Sequence, residues 1–61
     1  MEVKTMTINN IPNYAWEHQY IVYRTDDEGA HWFYGAYDTF ERAFEVATEI
    51  GGDAILTEYI Q

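Results

Sequence analysis

The sequence contains no cysteine and no serine, a single proline, and only three basic residues, Lys4, Arg24 and Arg42. Each scarcity removes a class of chemistry. Without thiols, no disulfide staples the chain and no thiolate holds zinc. Without serine or cysteine, the usual acyl-transfer nucleophiles are missing, and the threonines have no base beside them. So few cations disfavour direct nucleic-acid binding, because neutralising phosphates needs lysine and arginine. An anionic membrane surface is disfavoured for the same reason. No run approaches the ~20 apolar residues of a membrane span. Met1 to Asn10 lacks the basic-then-apolar order of a signal peptide. The expected location is therefore the cytoplasm.

What is abundant is acid and aromatic. Eleven acidic against three basic residues give a formal net charge of −8 over 61 residues. That length fits one domain, 1–61. A domain this small buries only about 60% of the surface its unfolded chain exposes, so it needs dense packing or a partner. Two tryptophans, six tyrosines and three phenylalanines supply the packing, since each aromatic buries roughly 150–250 Å².

The pattern along the chain predicts an α+β fold. Met1 to Ile8 is rich in β-branched residues and reads as an optional edge strand. Asn9 to Asn13, with Pro12, is a break. Tyr14 to His18 is either a helical turn or a lead-in. Tyr20-Ile21-Val22-Tyr23 and His31-Trp32-Phe33-Tyr34 read as a hairpin around Asp26-Asp27-Glu28-Gly29, with Gly29 left-handed. Gly35 marks a bulge or a close approach by another element. Asp38 is the expected N-cap of a helix, with Glu41 completing a capping box. From Phe40 to Ile50, the residues Phe40, Ala43, Phe44, Val46, Ala47 and Ile50 share an arc of roughly 160°. Gly51 and Gly52 stop the helix, and Asp53 to Ile60 is a final strand.

A right-handed crossover puts that strand beside the first hairpin strand. The expected architecture is a three- or four-stranded antiparallel sheet, (β)ββαβ, with one amphipathic helix on one face. Both faces of the sheet are apolar. If Ile21, Tyr23, Phe33, Ile55 and Tyr59 face the helix, then Tyr20, Val22, Trp32, Tyr34, Leu56 and Ile60 face away, and the reverse is equally apolar. The face without the helix must be covered by the N-terminal segment or a partner, or be left as an exposed patch.

Two sets of residues are candidates for binding. Glu41, Glu45 and Glu49, at i, i+4 and i+8, form an acidic stripe on the outer helix face, and Asp26, Asp27 and Glu28 add charge at the hairpin tip. Like charges at i,i+4 cost roughly 0.2–0.5 kcal/mol per pair. The stripe is therefore either a solvated face or a surface for lysine and arginine of a partner protein. Tyr20, Val22, Trp32, Tyr34 and Leu56 form the candidate surface for self-association into a homodimer. His18 and His31 lack metal-ligand spacing, the glycines form no phosphate loop, and no catalytic residue, metal or cofactor is expected.

In size, acidity and lack of catalytic groups the chain resembles the small phage-encoded anti-defence proteins, namely the anti-CRISPR and DNA-mimicking anti-restriction inhibitors. The resemblance implies an inhibitor that occupies a basic, often nucleic-acid-binding, surface of a partner in the host cytoplasm. The alternative is a small homo-oligomeric accessory or structural protein whose charge serves only solubility. A halophilic housekeeping domain is a further reading.

Overall fold

The structure, a computed structural model, describes residues 6–61. A 3-10 turn over Asn13–Glu17 leads into strand β1 (Tyr20–Thr25), which pairs with β2 (His31–Tyr37). Helix α1 (Phe40–Ile50) follows, then β3 (Asp53–Leu56) and a second 3-10 turn, Thr57–Tyr59. The strands form an antiparallel sheet in the order β2-β1-β3. β1 therefore lies in the centre, and β2 and β3 run parallel to each other on either side of it.

The hairpin follows from its turn chemistry. The Asp26 carboxylate accepts the backbone N–H groups of Glu28 and Ala30, each at 2.9 Å, and Gly29 takes φ 86°. The register shifts between Val22 and Tyr23, where Val22 opposes Gly35 and Tyr23 opposes Phe33. Tyr34 is the extra residue of this bulge.

Helix α1 matches its expected limits, but its cap is one residue later. The Thr39 hydroxyl accepts the Arg42 N–H at 3.3 Å, and the Asp38 carboxylate accepts from His18 Nδ1 at 2.7 Å instead. Both residues are good caps. The histidine engages one and leaves the other for the helix. Gly51 ends the helix at φ 69°. A Cβ on Gly52 would run into the Tyr23 carbonyl oxygen, so this glycine permits α1 to return close to β1.

The last strand is shorter than the apolar run suggests. The Thr57 N–H bonds to the Gln19 carbonyl, at the entrance to β1. Beyond that point β1 offers no ladder, and the chain turns through Thr57–Tyr59. The turn carries Ile60 into the cluster of Ile8, Ala15 and Ile21.

That cluster resolves the choice of sheet face. Ile21, Tyr23, Phe33, Ala36 and Ile55 face away from the helix and pack beneath Met6, Ile8, Ile11, Ala15 and Ile60. Backbone bonds fasten this cover: the Asn9 N–H to the His31 carbonyl, the Phe33 N–H to the Asn9 carbonyl, and the Gln61 N–H to the Met6 carbonyl. On the other face, Val22 meets Ala43, Val46 and Ala47, flanked by Tyr20, Tyr37, Ile50 and Ala54. Of the expected edge strand, Met1 to Thr5 lies outside the described residues. Met6 and Asn9 form isolated parallel bridges, to Ile60 and Trp32.

Candidate functional site

Glu41, Glu45 and Glu49 lie on α1, Asp26, Asp27 and Glu28 lie at the hairpin turn, and Tyr20, Val22 and Leu56 lie on the helix side of the sheet. On α1, the buried residues Ala43, Val46 and Ala47 span an arc of only about 100°. Phe40 and Phe44, counted with the core by periodicity, are 53% and 58% exposed. The cause is the narrow sheet. The Arg42 guanidinium lies over the Tyr37 ring of β2, 5.8 Å from its centroid. The opposite flank, with the phenylalanines, therefore lies on the side of β3. There a four-residue strand offers the small Ala54 to the helix. Phe40 and Phe44 instead stack on each other at 5.7 Å, and Tyr20 meets Phe40 edge-on at 6.0 Å.

The acidic stripe starts beside this aromatic flank and winds away from it: Glu41 lies about 60° from Phe44 around the helix, whereas Glu49 lies about 180° from Phe40, on the Arg42 side. Glu41, Glu45 and Glu49 are all exposed. Glu45 is engaged by Arg42 one turn away, and Glu41 and Glu49 have no cationic partner among the described residues. Glu41 thus borders the two stacked rings, and Glu45 and Glu49 extend the charge around the outer face away from them.

The hairpin acids divide into two kinds. Asp27 and Glu28 are exposed at the turn. Asp26 is structural. Besides the two backbone N–H groups, it accepts the Trp32 indole N–H at 2.9 Å. That indole bond, followed by the backbone N–H groups, holds its carboxyl below the ordinary carboxylate range. Asp26 was a candidate for partner binding on charge alone, but its carboxylate is occupied within the hairpin.

The aromatic set also divides. Val22 is fully buried under α1 and offers no surface for self-association. Tyr20 and Leu56 are half-buried. Trp32 and Tyr34 remain 41% and 49% exposed. Together with Arg24, Thr25, Asp26 and Phe33 they line an open pocket of about 430 Å³. Arg24 faces Trp32 directly across the hairpin and has no carboxylate partner among the described residues. Sequence reasoning did not single out Arg24. Its signal was its pairing opposite an exposed tryptophan, visible only once the register is known.

Other titratable groups are dispersed. His18 bonds to Asp38, while His31 Nδ1 lies 2.9 Å from the Thr25 hydroxyl and its ring meets Tyr23 edge-on at 5.0 Å. Partial burial, reinforced by the Asp53 carboxylate, raises the Tyr23 phenol above its usual value. Among the described residues, no group of three His, Asp or Glu side chains converges as a metal site, and no helix is long and apolar enough to cross a membrane. No family model, curated protein or solved structure matches this chain.

Proposed function

We propose that this protein is an acidic protein-binding module that inhibits a partner by occupying a basic, nucleic-acid-binding surface. It acts by binding rather than by catalysis, in the cytoplasm, and in the host cytoplasm if it is phage-encoded. The observation that carries this reading is the outer flank of α1. Phe40 and Phe44 are stacked yet more than half exposed, Glu41 borders them, and Glu45 and Glu49 continue the charge around the outer face of the helix. Interfaces draw affinity from a small aromatic centre, and charge at the rim sets partner choice and association rate. A net charge of −8 steers a basic partner towards this surface.

The test is capture from a lysate of the native host by the wild-type chain and by Glu41→Lys/Glu45→Lys/Glu49→Lys. The expected result is a basic, nucleic-acid-handling protein that elutes as salt rises and is not captured by the variant. Equal capture by both proteins overturns the reading.

A second reading, self-association, is favoured by the exposure of Trp32 and Tyr34. Sedimentation of the purified chain at micromolar concentration separates the two. The second reading expects a dimer that Trp32→Ser dissociates.

A further inference from the structure

We propose that the pocket between Arg24, Trp32 and Tyr34 is a binding site for a carboxylate carried next to an aromatic ring. Three observations converge on it. Trp32 is exposed but not free, because Asp26 fixes its indole N–H while the other Asp26 oxygen is fastened to the turn backbone. An exposed ring held in one orientation loses little freedom when a ligand stacks on it. The bulge opposite Val22 makes Tyr34 the extra residue of β2, and Tyr34 lines the same pocket. Arg24, opposite Trp32 on the neighbouring strand, is the one lining group with a positive charge and no carboxylate partner among the described residues.

Arg24 decides the chemistry of the ligand. A guanidinium presents a planar fork of donors that matches a carboxylate. The only acid lining the pocket is Asp26, whose oxygens already accept three N–H groups. The lining is therefore formally neutral, with its positive end available. The chain's overall negative charge opposes an anion at long range. That field is screened beyond about 8 Å at physiological salt, whereas a contact with Arg24 lies well inside this distance. A neutral or cationic ring compound lacks that contact. The site differs from the acidic helix flank in ligand sign, so neither proposal rests on the other.

The experiment is an NMR titration of the full chain at neutral pH and physiological salt with phenylacetate, phenylacetamide and phenethylamine. These carry the same ring with a negative, neutral or positive group. The expected result is saturable movement of the Trp32 indole N–H and the Arg24 side-chain N–H, with phenylacetate binding at least about fivefold more tightly than the amide. Arg24→Gln should retain the wild-type spectrum away from the pocket and erase the preference. A peptide ending in a free phenylalanine distinguishes the source of the carboxylate. Tighter binding than phenylacetate assigns the site to a protein C-terminus, and equal or weaker binding assigns it to a free aromatic acid. Equal affinity for acid and amide, tighter binding of the amine, or no movement of Trp32 with any probe overturns the proposal.

Discussion

The two faces of the sheet are built from similar residues but are closed in different ways. The face away from α1 is covered by the segments that precede β1 and follow β3. Ile8, Ala15 and Ile60 pack on Ile21, and backbone hydrogen bonds fasten the cover at Asn9 and Gln61. The helix-side face is covered by a single element of eleven residues, about 16 Å long. The seven residues of β2 extend about 24 Å. One helix therefore covers the Val22 region, and besides Tyr14 and Trp16 on the cover of the other face, two aromatic areas are exposed. One is the Phe40–Phe44 flank over β3, and the other is the Trp32–Tyr34 pocket at the distal end of the hairpin. The face that the sequence left without a cover is the one closed by the segments before β1 and after β3, the Phe40–Phe44 flank lies on the helix side, and the Trp32–Tyr34 pocket sits at the end of the hairpin.

Substitutions can break or sharpen this contrast. The largest effect is expected on the sealed face. Ile21→Ala, at a fully buried position, should lower stability by about 2–5 kcal/mol, a large share of what a small domain has. Urea denaturation measures it. A loss below about 1 kcal/mol, by the same cavity scale, would mean the cover is loose. Gly52→Ala comes next. Its methyl group meets backbone rather than a flexible side chain, so α1 must shift away from β1, and the melting temperature should fall by several degrees. An unchanged melting temperature would show that the helix end has room to move.

Phe40→Ser and Phe44→Ser should each change stability by less than about 1 kcal/mol, because both rings are more than half exposed. A loss like that of Ile21→Ala would move these rings into the core and remove the aromatic centre from the proposed interface. The smallest effect is local. The Asp26 carboxyl has a lowered folded value, so its contribution is complete above the ordinary carboxylate range. It is lost as pH falls through the lowered value, when the protonated acid stops holding Trp32 and the turn. The Trp32 indole resonance should move in that acid window while core resonances of Ile21 stay in place. Asp26→Asn should shift the indole resonance at neutral pH.

Much of the architecture was legible because period and punctuation agreed. Phe40 to Ile50 keeps the helical repeat and ends at two glycines, and Asp26 to Gly29 carries turn residues between two aromatic β-branched runs. Gly35 signalled either a bulge or a close approach, and the register shift next to it is a bulge. Other features depended on tertiary partners. Asp38 and Thr39 are both competent caps, and in the fold Thr39 caps the helix while Asp38 bonds to His18. Tyr59 and Ile60 continue an apolar run, but the ladder ends with Gln19, so they turn under the sheet instead. Periodicity assigned Phe40 and Phe44 to the core because it measures direction around the helix, not the width of the sheet beneath. The acidic stripe was legible as a stripe. That Glu45 is engaged by Arg42, and that Asp26 is occupied by Trp32 and its own turn, required the folded chain.

The helix-side surface, and not the sealed face, is the one proposed to engage a basic partner. Amide hydrogen exchange of the captured complex against the free chain tests this most directly. The predicted result is slowed exchange along the exposed turns of α1 between Glu41 and Glu49, with the amides of Asn9 and Phe33 unchanged. Slowed exchange at Asn9 and Phe33, with α1 unaffected, would contradict it.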